Sequence, residues 1–354
     1  MGTGSGGIMK LIVILALSLS GLAHPSVMTK IDTLNSTEAY APMVFHNHLL
    51  WLGRGDYSQR KTVYRIEVRS SDGETLLSSH LVPHSVERLY PFDKDSIIMM
   101  GKSFTSEGWI TYYSIVRACC GAMAVETHPL PTSFQVEEFA GTPDRLFFNE
   151  VGERSVVAKT AESTKLLPVE ISGPGQMHLV GDFLWILERR SFFLGDENIA
   201  RINLKTLEVD RVFSQLRNGL VGLLALKDGS TLAATELNDQ NVILIDSQDL
   251  SRQTIIPLQG THPRSMAEWG KCLIVGSEQP NRLTIIRLGE TKPRTVFEFN
   301  LEAYATDLPR LNKITVDPET GNIFLRSSVA PETELDPRNS VYRFSNSQWL
   351  SDCG

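Results

Sequence analysis

The chain has 354 residues, 42% hydrophobic and 21% charged, with a formal net charge of -7. That is the composition of a globular protein, and its acidic balance, with no dense Lys/Arg run, argues against a nucleic-acid partner. The length exceeds the roughly 250 residues at which a single core stops growing, a limit that repeat architectures escape.

The first predicted element is a signal peptide, residues 1–23. Lys10 precedes the apolar run 11–22, and Gly21 and Ala23 place small residues at the two cleavage-site positions. The run is shorter than the ~20 residues that span a bilayer; an uncleaved anchor or a buried helix is the competing reading. Cleavage after Ala23 leaves one domain, 24–354, secreted or periplasmic and with no membrane span. No Cys lies near the cleavage site to carry a lipid.

Short apolar runs then recur: LLWLG from Leu49, IIMMG from Ile97, LFFNE from Leu146, LWILE from Leu184, TLAAT from Thr231, CLIVG from Cys272 and NIFLR from Asn322. Their spacing of roughly 40 to 50 residues is that of a four-stranded propeller blade. A second strand rich in β-branched or aromatic residues follows each, among them TVYRIEV, NVILID and SVYRF, and turn residues follow most of those. The pattern predicts an all-β, seven-bladed β-propeller of four-stranded antiparallel blades. A large β-sandwich has no reason to repeat seven times. Helix content should be low, since no segment beyond the leader keeps a 3.6-residue period.

The ends predict how the ring closes. After SVYRFSNSQ only WLSDCG remains, too short for a fourth strand, whereas VMTKIDTL at 27–34 is spare. The N-terminal strand should therefore complete the last blade, leaving Cys353 near the seam. In this pattern the chain resembles the YncE-like and YVTN-type seven-bladed propellers. The resemblance covers nearly the whole mature chain and implies the fold without implying a chemistry.

In such a ring the blade-to-blade crossings and the loops joining second to third strands open on one face around the channel. On that face the sequence places His84, Gln176, His178, Asn218, His262, Arg264 and Asn312 near the channel, with Glu236 in an outer ring. Their mixed polarity fits an unidentified small polar or anionic ligand, or a protein or peptide, bound by a monomer. The expected function is that of a binding or scaffold module without a cofactor.

A hydrolase is the alternative. RNGLVGLLALKDGSTLAATEL at 217–237 is similar to a unit of the SMP-30/gluconolactonase family, with Asn218 at that family's metal-ligating Asn. That resemblance implies a divalent metal, Ca or Zn, held with Asn312 and a carboxylate such as Glu236. However, Asn312 stands where the family has an Asp, which removes charge needed for a hard cation and removes the candidate base. His46 and His48 have ligand-like spacing but fall in a turn on the opposite face, with no third ligand nearby.

The remaining candidates are cysteines and tryptophans. Four cysteines, Cys119, Cys120, Cys272 and Cys353, allow three pairings that spacing does not choose among. Cys119 and Cys120 are a candidate vicinal disulfide in a turn, and Cys272 reads as a buried free thiol. No quinoprotein docking repeat, CxxCH haem motif, P-loop or G-x-S-x-G elbow is present. Trp51, Trp109, Trp185, Trp269 and Trp349 read as packing residues.

Overall fold

A computed structural model describes residues 27–35, 42–58, 61–106, 108–119, 122–130, 136–150, 155–160, 163–168, 174–188, 198–211, 219–249, 251–258, 262–289, 292–304, 311–327, 338–345 and 347–354. Each apolar run becomes the second strand of a four-stranded antiparallel sheet, and seven such sheets make up a propeller. In chain order blades 1 to 6 span residues 43–82, 88–129, 136–168, 174–211, 220–257 and 262–300. Blade 7 combines residues 311–345 with the strand Val27–Asn35.

Burial explains why the second strands were so visible. The strand Cys272–Glu278 is buried at every position, so it reads as an unbroken apolar run and not as an alternation. Outer strands such as Leu76–Val82 and Gln253–Pro257 are largely exposed, and they carry no comparable signal. The core is divided in the same way, with each apolar cluster filling the wedge between two neighbouring blades. Val44, Trp51, Leu89 and Met99 join blades 1 and 2. Phe147, Val156, Leu184 and Ile186 join blades 3 and 4, and Met43, Leu52, Phe324 and Val341 join blades 7 and 1.

The ring closes as expected. Val27–Asn35 runs antiparallel to Arg338–Ser345, pairing Val27 with Ser345, Lys30 with Tyr342 and Asn35 with Arg338. It forms the outermost strand of blade 7 and covers an edge that would otherwise be open.

The chain then ends in a short helix, Ser347–Cys353. Trp349 is fully buried, its ring 4.9 Å from that of Trp269 and edge-on to it. Cys353 forms a disulfide with Cys272. The free thiol expected at Cys272 is thus corrected: the terminal helix folds back on blade 6 and brings a partner to it. Gly270 makes the approach possible. Its φ is +54°, and a Cβ there would lie 2.0 Å from the Cys353 carbonyl oxygen, which accepts the Lys271 N–H at 2.7 Å. Cys119 ends the third strand of blade 2, while Cys120, and with it the candidate vicinal bond, lies outside the described residues.

Trp51, Trp185, Trp269 and Trp349 are buried, but Trp109 is 65% exposed. The second and third strands of blade 2, Ser96–Thr105 and Gly108–Cys119, are long. Their tip carries Trp109 and the 70% exposed Phe104 out beyond the wedge, 5.4 Å apart and edge to face. Among the described residues no helix is long and apolar enough to cross a membrane.

Candidate functional site

The innermost strands set the levels of the channel. In blades 3 to 7 they are Val136–Thr142, Pro174–Val180, Leu220–Ala225, His262–Trp269 and Leu311–Val316, and each shifts register near its start. A bulge of this kind bends the strand and re-aims a side chain. Beyond it run the pairs Phe139↔Phe148, Met177↔Ile186, Leu223↔Ala234, Met266↔Val275 and Ile314↔Leu325. One residue back from these pairs, a single level holds Glu138, Gln176, Gly222, Ser265 and Lys313.

Two members of that level sew blades together. Gln176 Oε1 accepts the Leu223 N–H at 2.7 Å, and Ser265 Oγ accepts the Ile314 N–H at 3.2 Å. Glu138 is an ion-pair acceptor. Arg88, at the start of the innermost strand of blade 2, donates Nε to Glu138 Oε1 at 3.2 Å, and the Tyr90 hydroxyl donates to the other carboxylate oxygen. Burial and the adjacent carboxylate push the Tyr90 phenol well above its ordinary value, so it stays a donor.

Lys313 comes from the other side of the ring. The residue is exposed, yet it senses the charges of Glu138 and Arg88, and desolvation lowers its pKa. His178, in the innermost strand of blade 4, senses Glu138 and Lys313 as well. Desolvation drives its pKa down to about 4, against the opposing pull of the Leu223 carbonyl and Glu138. Glu138 and Lys313 therefore link residues of four blades, Lys313 sensing Glu138 and Arg88, and His178 sensing Glu138 and Lys313, with the imidazole neutral at pH 7.

Several charges at this throat are paired among the described residues. Glu138 is matched by Arg88 at 3.2 Å, Glu278 by Arg264 at 2.6 Å and Glu87 by Lys102 at 3.8 Å. Among the described residues Lys313 has no hydrogen-bonded or ion-paired partner. The residue opposite it in register is a second cation, Arg326, buried and donating Nη1 to the carbonyls of Pro42 and Gly53. Chemically, the described part of the throat sets an exposed cation, Lys313, near a neutral imidazole.

The sequence candidates divide around this centre. His178 lies in it, and Gln176 and Asn312 belong to the same innermost strands, Asn312 exposed beside Lys313. Arg264 is committed to Glu278 through both Nε and Nη2, at 2.8 and 2.6 Å, and the half-exposed His262 begins the same strand, opposite Glu278. His84 is not at the mouth. It is fully buried in the wall, bonded to Ser114 Oγ at 2.8 Å and the Ser85 carbonyl at 2.6 Å, and stacked on Tyr112. Glu236 is also buried, accepting from Asn241 Nδ2 at 3.1 Å. Asn218 lies outside the described residues. Among the described residues no three His, Cys, Asp or Glu side chains converge as metal ligands. His46 and His48 point apart, one to the Asp93 carbonyl and one to Glu319.

Arg88, Tyr90, Glu138 and Lys313 were not singled out by sequence reasoning. Their signal was present but faint, as charged residues set one place before apolar innermost strands in EEFAG (137–141) and NKITV (312–316).

No protein-family model matches the chain, and no curated protein does. Among solved structures the chain is similar to U3-55K, at 12% identity and a TM-score of 0.61, covering 89% of this chain and 98% of that one. It is similar to the virginiamycin B lyase of Staphylococcus aureus, at 16% and 0.59, covering 91% and 99%. A third similar structure is the Myceliophteria thermophila Cps50 (Swd1) β-propeller domain, at 10% and 0.64, covering 91% and 100%. At such identities the likeness shows the β-propeller fold alone, which the strand order of this chain resolves into seven blades.

Proposed function

We propose that this chain is an exported, YncE/YVTN-like binding propeller, which receives a small polar ligand or a peptide through the channel mouth on its crossing-loop face. The observation that carries the reading is the convergence of Arg88, Glu138, His178 and Lys313 from four blades on one throat. Residues held by separate rigid sheets meet there with little freedom to rearrange, which suits recognition by a preformed site. The apolar leader and the Cys272–Cys353 disulfide support export, since such bonds persist in oxidising compartments. The metal-hydrolase alternative has less support: Glu236 is turned to Asn241 within blade 5, and Asn312 adds no charge.

The test is a panel of neutral sugars, amino acids, dicarboxylates, phosphate and short peptides, read as shifts in melting temperature. The same panel is run on Asn312→Trp, in which an indole at an exposed position beside the throat narrows it. The expected result is at least one ligand that stabilises the wild type and not the variant. A panel in which no ligand binds, or binds both proteins equally, overturns the reading.

A further inference from the structure

Resting on that reading of the throat, we infer that the ligand is a small free oxyanion, a carboxylate or phosphate group, held at the channel mouth by Lys313 of blade 7. Three carboxylates of the throat are matched by cations, Glu138 by Arg88, Glu278 by Arg264 and Glu87 by Lys102, and buried Glu236 accepts from Asn241. Tyr90 occupies the second oxygen of Glu138, so that group has little left to offer a cationic ligand. Among the described residues Lys313 has no hydrogen-bonded or ion-paired partner. The residue opposite it in register is another cation, Arg326, and like charges placed so oppose one another. An anion relieves that repulsion, whereas a neutral ligand leaves it.

The polar neighbours of Lys313 are already engaged. Gln176 and Ser265, at the level of Lys313, accept the Leu223 and Ile314 amides, and His178 is bonded to the Leu223 carbonyl. An oxyanion at the throat therefore meets the exposed Lys313 as its cation, since the charge of Arg88 is offset by Glu138. Bound there, it favours the charged amine and opposes the desolvation that lowers the pKa of Lys313.

Titration calorimetry with inorganic phosphate and with succinate, each against a chloride control at matched ionic strength, tests the assignment. Wild-type protein is expected to bind at least one of them. Lys313→Met should weaken binding at least tenfold, and Lys313→Arg should retain most of it. An independent readout is acetylation of Lys313, followed by mass spectrometry. The lowered pKa makes this amine react faster at pH 7 than the exposed Lys205 and Lys227, and phosphate should slow it selectively. Binding unchanged in Lys313→Met, or no binding of either anion to wild type, overturns the assignment. A neutral ligand that is sensitive to Asn312→Trp but indifferent to Lys313→Met leaves the binding propeller standing and rejects the oxyanion. Anion binding lost in Lys313→Met yet intact in Asn312→Trp keeps the oxyanion and rejects the mouth as its entrance.

Discussion

His178 shows what the channel does to a single side chain. Its pKa stands near 4 in the folded protein and at 6.5 in an ordinary setting. Between these values the unfolded chain takes up a proton that the folded chain refuses, so stability is complete above pH 6.5 and is lost as the pH falls toward 4. The component reaches at most about 3 kcal/mol, and less to the extent that channel water reaches the ring. Buried His84 is shifted in the same direction by desolvation and adds to the slope. We expect urea midpoints to fall between pH 7 and pH 4.5 in wild type, and to fall less in His178→Gln. Equal losses in the two proteins would show that the imbalance lies elsewhere. Residue-level function was the least legible part of the sequence. Lys313 and Glu138 are far apart in the chain and look like ordinary loop-end charges. What makes them neighbours is where each innermost strand resumes regular pairing after its bulge, and no local pattern announces that level. His84, by contrast, drew attention by its type and proved to be a wall residue satisfied by Ser114 and Ser85.

At the scale of elements, legibility followed burial. Second strands buried on both faces left unbroken apolar runs, while exposed outer strands were inferred mainly by counting. The terminal helix was missed because Ser347–Cys353 is only seven residues long. Its anchor is tertiary: Trp349 sits against Trp269 and Cys353 is bonded to Cys272. Trp109 was misread for a related reason, because strand length and not residue type decides whether an aromatic reaches past its neighbours. The helix gives a direct prediction. The disulfide closes a loop across 81 residues of sequence, and Cys353→Ser should cost about 2–5 kcal/mol. Gly270→Ala should also destabilise, by about 2 kcal/mol or more, since its φ of +54° and the nearby Cys353 carbonyl both exclude a methyl group. Guanidinium unfolding of the three proteins under non-reducing conditions checks both values. A Gly270→Ala protein as stable as wild type would mean that the helix can dock in another way.

For the molecule as a whole, closure is the decisive contact. Val27–Asn35 is the first described strand in the chain and lies in the last sheet. Removing residues 27–35 exposes the edge of Arg338–Ser345 and leaves blade 7 with three strands. Such an edge templates pairing with other chains. The truncated protein should therefore elute as dimers or larger species in size-exclusion chromatography, with a lower melting temperature than the full chain. A monomer of unchanged stability would show that the strand is dispensable.

The division of the core into wedges has a further consequence. Among the described residues blades 4 and 7 share no apolar cluster, and each touches its own neighbours through separate packing. Blades across the ring sense one another electrically, through Lys313, Glu138 and His178 of the innermost strands. Anything lodged there acts as the hub of a wheel, tying spokes that the rim alone connects in sequence. Occupancy would then be felt around the whole circumference at once, and a small molecule could stiffen a ring many times its own size.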